Sequence, residues 1–339
     1  MVQARHGGSA CARTRYPRPV RLLLTGSNGF VGARIAADAR ARGWHVVGLG
    51  RAPRPGSAVD EYVRHDLARP LPHDAVRGGV DAVVHCAALA SPWAAPSAFV
   101  AANVEGTRTV VRWAQDHGAP PLVYVSSSSV LYRDEHQLAL TEESPVPADE
   151  DQINVYSRTK RVGERIVARY PGPTTVVRPR AVFGAGDTVL LPRILRAARR
   201  GVLPVLEPRD GPPVLSDLVE VDTVAHYVTE ALERRAEGLF HLTNAQTVEL
   251  YPFLLALLAR LGVRPRLRRV PPGLALALAG AAERVSGTVL GYREPPLTRF
   301  GVSVLARSKT FDVRRTLATL GDPAVSLDEG VERLVAAHA

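Results

Sequence analysis

Through the first half of the chain, short apolar runs alternate with longer stretches in which apolar residues recur every three or four positions. Residues 20–25 (VRLLLT), 45–49, 81–87 (DAVVHCA), 122–125 and 174–178 read as buried strands, and 59–66 ends in a weaker one. Between them, residues 30–42, 95–117 and 155–170 carry the helical period. Gly43 and Gly118 close the first two, as glycine does where the chain leaves a helix in a left-handed turn. Strands that are apolar on both faces and separated by helices predict a parallel sheet covered on both sides.

After Pro179 the rhythm changes. Glycine and proline interrupt more often, and the strand-like runs become short and scattered. Helices are expected over 221–234, 250–261, 274–285, 313–320 and 327–338. A short strand over 239–243 can return to the main sheet. The run that opens Val270-Pro271-Pro272-Gly273 and continues to Ala282 is apolar all round, which predicts a buried helix rather than a surface anchor. No apolar run approaches the ~20 residues of a spanning helix, so no membrane association is expected. No internal repeat is visible.

Composition changes this picture little. The 339 residues are enough for about two domains, and 46% apolar with 22% charged is ordinary for a globular chain. The net charge of +10 could announce a nucleic acid, but 41 of the 43 basic residues are arginines spread along the chain. No basic run is interleaved with aromatics, and no nucleic-acid partner is expected. Residues 1–19 hold four arginines, no acid and no apolar signal core, and read as a flexible extension. Cys11 falls in that extension and Cys86 in an apolar strand, which predicts no disulfide and fits a reducing cytoplasm. What the composition does sharpen is lysine: only Lys160 and Lys309 are present.

Chemistry concentrates at three places. Thr25-Gly26-Ser27-Asn28-Gly29-Phe30-Val31-Gly32 joins the first strand to the first helix with glycines spaced G-x-x-G-x-x-G. A pyrophosphate approaching a helix N-terminus needs such a turn, because Cβ atoms would obstruct it. The second strand ends Gly48-Leu49-Gly50-Arg51, with no acid for a ribose 2′-hydroxyl. Arg51, with Arg54 near, suits a 2′-phosphate instead, so NADP(H) is favoured, with NAD(H) as the alternative. Asp66, before Leu67, is placed toward the adenine side. Tyr156 and Lys160 stand four apart on the helix after the fifth strand and share a face. An ammonium beside a phenol favours the phenolate and lowers its pKa, which makes tyrosine a usable acid or base. The fifth strand runs into Ser126-Ser127-Ser128-Ser129, where a hydroxyl can polarise a substrate oxygen.

With these motifs the chain resembles the extended short-chain dehydrogenase/reductases over about residues 20–337. Further support comes from His85-Cys86-Ala87-Ala88, Asn103-Val104-Glu105-Gly106-Thr107 and Arg178-Pro179-Arg180-Ala181-Val182-Phe183-Gly184-Ala185. Many relatives carry proline where Ala185 stands. Residues 141–147, 187–193 and 295–302 are most similar to the 3β-hydroxysteroid dehydrogenase-like group, which includes bacterial 2-alkyl-3-oxoalkanoate reductases. The resemblance implies Tyr156 as general acid/base, Lys160 as its partner, and Ser127 or Ser128 as the polarising serine. It implies coenzyme contacts from Gly26, Asn28, Gly29, Phe30, Val31, Gly32, Arg51, Asp66, Leu67, Ala87, Ala88, Asn103, Tyr156, Lys160, Arg178 and Pro179. No metal is implied, and family habit suggests a homodimer.

The expected fold is α/β: a Rossmann-like doubly wound parallel sheet in residues 20–180, with a return around 214–245. Residues 181–213 and 246–339 form a smaller, mostly helical substrate region. The expected activity is an NADP(H)-dependent ketone reduction or the matching alcohol oxidation. Leu190, Leu191, Val205, Leu206 and the face of 274–279 suggest an apolar small-molecule substrate. A sugar-nucleotide epimerase or dehydratase is the alternative on the same fold. A dehydratase wants an Asp-Glu pair after the serine, and here Ser128, Ser129 and Val130 follow Ser127. A non-catalytic NADP-binding protein is the alternative of another class, and it would be marked by loss of Tyr156 or Lys160.

Overall fold

The computed structural model describes residues 20–189, 191–207 and 211–338. The expected extension over residues 1–19, with Cys11, and the apolar Leu190 lie outside the described residues.

The apolar runs form the centre. Strands β1 (Arg21–Thr25), β2 (His45–Gly50), β3 (Glu61–Arg64), β4 (Ala82–His85) and β5 (Leu122–Val125) join Thr174–Pro179 and Gly238–Leu242 in one sheet. The order is Gly238–Leu242, Thr174–Pro179, β5, β4, β1, β2, β3, and every pairing is parallel. The predicted return strand thus adds to the edge beyond Thr174–Pro179. β1, β4 and β5 are almost wholly buried because helices cover both faces. On one side α1 (Phe30–Ala41) packs with the helix Val221–Glu233 around Leu22, Leu24, Ile35 and Val228. On the other, α3 (Gly106–Asp116) and α4 (Val155–Val167) pack with Leu23, Val83, Val110 and Tyr124. α3 continues a helix that starts at α2 (Pro96–Phe99), and Val100–Glu105 between them widens into a π-helical stretch.

The second half is less regular, and it holds more strand than the sequence suggests. A small sheet pairs Thr247–Glu249, Leu215–Asp217, Lys309–Phe311 and Gln137–Leu140 in that order. These are three- or four-residue strands with no period to read. Gln137–Leu140 comes from before Tyr156, so this sheet is interleaved with the nucleotide half of the chain.

Two expectations about this half are overturned. The apolar helix Pro272–Thr288 buries Ala275, Ala279, Glu283 and Ser286, while Leu274, Leu278 and Val285 are each more than half exposed. Small residues face inward because the helix lies close against Arg299–Ala306, with Ala275 and Ala279 meeting Val302 and Ala306. The apolar residues offered as a substrate face are also placed differently. Leu191, Val205 and Leu206 are core side chains, and Leu274 and Leu278 point to solvent.

Candidate active site

β1 ends at Thr25 and the chain turns at once into α1. Gly26 has φ +73°, and a Cβ there would lie 2.7 Å from the Ala87 backbone. A Cβ on Gly32 would lie 2.1 Å from the Gly26 carbonyl oxygen. Turn and helix therefore interlock backbone to backbone. α1 starts after Gly29 with no side-chain cap and no acid in its first turn, which leaves its leading N–H groups for an anion. Ser27 beneath them is fully buried, and its hydroxyl has no protein partner. This is a cradle that a Cβ would fill, and a dinucleotide pyrophosphate fits it. Phe30 and Val31 are half-buried at the start of α1. Asn28 is turned to the loop after β2: its Oδ1 accepts from Gly56 N–H at 2.8 Å, and its Nδ2 donates to the Arg54 carbonyl at 3.0 Å.

A chain of hydrogen bonds leads from this turn to the helix that carries Tyr156. Thr25 Oγ1 accepts from Ala87 N–H at 3.2 Å and meets His85 Nδ1 at 2.7 Å. His85 Nε2 meets Thr107 Oγ1 at 3.0 Å, and Thr107 donates to the Asn103 carbonyl at 2.6 Å. Thr107 has one proton and gives it to Asn103, so Nε2 carries the imidazole proton and Nδ1 accepts from Thr25. Burial pushes the His85 pKa down to about 3, in keeping with this neutral ring. Asn103, inside the π-helical stretch, accepts from Leu89 N–H at 2.7 Å and donates to Thr159 Oγ1 at 3.1 Å. Thr159 donates to the Tyr156 carbonyl at 2.9 Å.

α4 is capped by Asn154, whose side chain accepts from Ser157 N–H at 2.7 Å. That sets the first turn, and Tyr156 stands in it. The phenol is half-buried beside Ser127, just past the end of β5. Burial pushes its pKa up to about 12, and the Ser127 hydroxyl, hydrogen-bonded to it, pulls the other way. The net shift is upward, against the lowering expected from Lys160, because desolvation is the largest cause and Lys160 is not among the groups acting on the phenol. Lys160 Nζ donates to the Val125 carbonyl at 2.6 Å and lies 4.2 Å above the Tyr124 ring. It is 1% exposed, and burial pushes its own pKa down to about 8.

The two candidate serines have different partners. Ser127 Oγ meets Ser129 Oγ at 2.9 Å and accepts from Ser129 N–H at 3.2 Å, which aims it toward Tyr156. Ser128 is buried, and its Oγ is paired with the Tyr132 hydroxyl at 2.9 Å. The role of Ser129 was not singled out by the sequence; a run of four serines carries no signal that separates their directions.

Other expected coenzyme contacts scatter. Arg51 is exposed directly after β2, and Arg64, in register with Gly50, is exposed at the end of β3. Ala87 backs Gly26 and Ala88 is exposed. Asp66 is exposed and accepts from Ala68 N–H at 3.1 Å. Leu67 is a core residue, packed with Val110 and Val111. Pro179 is buried at the end of its strand, paired with Leu242. Arg178 departs from the expectation: it is 2% exposed, and Nε and Nη2 each bond Glu164 at 2.8 Å. Glu164 also accepts from Ser126 at 2.7 Å and Arg161 at 3.0 Å. Burial opposes its charge, yet Arg178 and these donors hold its pKa below the usual carboxylate value. Glu164 stands four residues after Lys160, and that spacing was the available signal for it.

A family model described as the NAD dependent epimerase/dehydratase family matches residues 22–242. Over 334 residues the chain is 31% identical to the 2-alkyl-3-oxoalkanoate reductase of Stenotrophomonas maltophilia, covering 94% of this chain and 100% of that one. Over 326 residues it is 30% identical to a 4-hydroxy-2-methyl-3-oxo-4-farnesyl-3,4-dihydroquinoline-1-oxide ketoreductase of Stigmatella aurantiaca, with 93% and 96% covered. Among solved structures, MoeE5 in complex with UDP-glucuronic acid and NAD superposes with a TM-score of 0.71 at 21% identity, over 94% of this chain and 98% of that one. At that identity the likeness speaks for the fold.

Proposed function

The chain belongs to the NAD dependent epimerase/dehydratase family, among the extended short-chain dehydrogenase/reductases, and we propose that it is an NADP(H)-dependent reductase of an apolar ketone of the β-keto acid kind. One arrangement supports the chemistry: the half-buried Tyr156 phenol is hydrogen-bonded to Ser127, and the buried Lys160 ammonium, one helical turn on, donates to the Val125 carbonyl at the C-terminal end of β5, two strands from the glycine cradle. Ligands of an open parallel sheet bind at that end.

Gly26, Gly29 and the start of α1 would hold the pyrophosphate, and the nicotinamide supplies or receives the hydride when bound. The protein's own residues handle the oxygen and its proton. With a pKa near 12, Tyr156 keeps its proton at neutral pH and can give it to a carbonyl oxygen gaining charge. Ser127 donates a hydrogen bond to the same oxygen, fixed in place by Ser129. Lys160, with a pKa near 8, is still mostly an ammonium at pH 7 and stabilises the phenolate left behind.

NADP(H) is favoured because Arg51 and Arg64 are exposed where β2 and β3 end, the side of such a sheet on which an arginine can accommodate a 2′-phosphate. The substrate class rests on the two relatives named as reductases of ketones. The test follows NADPH and NADH oxidation with β-keto acids, β-keto thioesters, steroid ketones and UDP-sugars. Turnover of a β-keto acid with NADPH is expected. It should fall about 10²–10⁴-fold in Tyr156→Phe, and the KM for NADPH but not NADH should rise in Arg51→Ala. Preferred use of NADH overturns the coenzyme reading, and full activity of Tyr156→Phe overturns the mechanism.

A further inference from the structure

Two buried arginines, Arg178 and Arg180, stand at the end of the strand Thr174–Pro179, and they are treated differently. Arg178 meets Glu164 through two hydrogen bonds of 2.8 Å. Arg180, 5% exposed, has no such partner among the described residues. Its Nη2 donates to Ser216 Oγ at 2.9 Å, and its guanidinium carbon lies 5.4 Å from the centre of the Tyr132 ring. Its Nε is buried and donates to no group among the described residues. The acid that acts on Arg180, Asp217, is committed elsewhere: Oδ1 accepts from Thr247 Oγ1 at 2.6 Å and Oδ2 from Phe311 N–H at 2.7 Å. Burial also pushes the Asp217 pKa up, which disfavours its charge.

A second cation adds to the imbalance. Lys309, which the small sheet sets beside Ser216, is fully buried. Its Nζ donates to the carbonyls of Arg133 and Glu135 at 3.1 and 2.5 Å and lies 5.5 Å from the centre of the same Tyr132 ring. Two buried cations thus face one buried carboxylate. A buried charge without a hydrogen-bonded counter-charge is costly, and such a group beside a reaction centre marks a place where a ligand brings the opposite sign.

Tyr132 connects this cluster to the reacting groups. Its hydroxyl is hydrogen-bonded to Ser128 at 2.9 Å and to Arg180, and it lies close enough to Tyr156 to act on that phenol. Burial pushes the Tyr132 pKa up, so its hydroxyl keeps a proton to donate. Arg180 and Ser127 both follow the carboxyl ends of neighbouring strands, where ligands of such a sheet bind.

Building on the ketone-reductase reading, we propose that Arg180, together with the Tyr132 hydroxyl, binds the carboxylate of the substrate and so selects β-keto acids over neutral ketones. In a β-keto acid the carboxylate carbon is two bonds from the carbonyl carbon. The two groups therefore need receptors side by side, as the Tyr156–Ser127 and Tyr132–Arg180 pairs are. The planar guanidinium fork suits a carboxylate, and a substrate without one leaves the buried cation uncompensated.

The experiment compares freshly hydrolysed 3-oxodecanoic acid with methyl 3-oxodecanoate, each offered to the full chain with NADPH or NADH. The unaltered enzyme should favour the acid about 10²-fold in kcat/KM, because the ester loses hydrogen bonds to a charged group. Arg180→Gln should lower kcat/KM for the acid about 10²-fold, mainly through KM, and lower it about tenfold less for the ester. Arg180→Lys, which keeps the charge without the fork, should fall between the two. Tyr132→Phe should cost the acid about tenfold. Equal use of acid and ester by the unaltered enzyme overturns the carboxylate site, whether or not the variants fold, and leaves the ketone-reductase reading standing. A fall in Arg180→Gln that is the same for both substrates also overturns it, since Arg180 would then act only as a support for Tyr132 and Ser128. If acid and ester are both inert, the ketone-reductase reading fails and the carboxylate site with it.

Discussion

Two helices rich in apolar residues, α1 and Pro272–Thr288, solve opposite problems. α1 buries Gly32, Ile35, Ala36 and Ala39 between the main sheet and the helix Val221–Glu233, and turns Ala37 and Arg40 outward. Pro272–Thr288 buries alanines, a glutamate and a serine, and turns Leu274, Leu278 and Val285 outward. In α1 the large side chain earns its stability from the core. In the other helix the small side chains permit close approach to Arg299–Ala306, and the large ones named are left outside. Apolar content alone does not say which side of a helix is inside.

The comparison can be broken by substitution, beginning where the backbone itself is committed. Gly32→Ala places a methyl group 2.1 Å from the Gly26 carbonyl oxygen, so the turn must open. NADPH binding followed by fluorescence titration should be lost, while an alanine at the exposed Gly273 should leave it intact. Arg178→Met leaves the 5%-exposed Glu164 without its two-pronged partner. Removing one member of a buried pair costs roughly 3–5 kcal/mol, readable as a shift in the urea midpoint. Ile35→Ala empties a fully buried site in α1 and should cost about 2–5 kcal/mol.

Lys160 supplies a prediction in pH. Burial takes its pKa from the usual 10.5 to about 8, so between those values the unfolded chain binds more protons than the folded one. Stability contributed by this group therefore rises with pH across that window. Activity should do the reverse: kcat/KM for ketone reduction holds below about pH 8 and declines above it as the ammonium is lost. In Lys160→Met, which carries no titrating group there, the decline near pH 8 should vanish from an already lowered profile. The smallest effect closes the comparison. Leu278→Ala is expected to change folding stability by less than about 0.5 kcal/mol, because its side chain is 58% exposed. A loss as large as that of Ile35→Ala would mean that this face is already covered.

The parallel sheet was legible because its signals are local. A strand buried on both faces is an apolar run, and β1, β4 and β5 are such runs. The turn after β1 was legible for a similar reason: glycines at 26, 29 and 32 report a backbone need without reference to the rest of the chain. The short strands Leu215–Asp217 and Lys309–Phe311 were not, since three residues hold no period and their pairing joins segments about ninety positions apart. The same limit applies to direction. Four consecutive serines name a polar strand end, but only the neighbours decide that Ser128 goes to Tyr132 and Ser127 toward Tyr156.

What this sequence by itself determined is a doubly wound sheet, a glycine turn between its first strand and helix, and a tyrosine and lysine held one helical turn apart. Each depends on spacings of a few residues, which the chain's own geometry enforces. Tertiary structure decided the rest. It set the sign of the Tyr156 pKa shift, because desolvation is a property of surroundings. It gave Arg178 to Glu164, because a buried charge takes the nearest opposite charge. It also turned Leu274 and Leu278 to the outside, because a helix that is apolar all round has no preferred face until a neighbour packs against one.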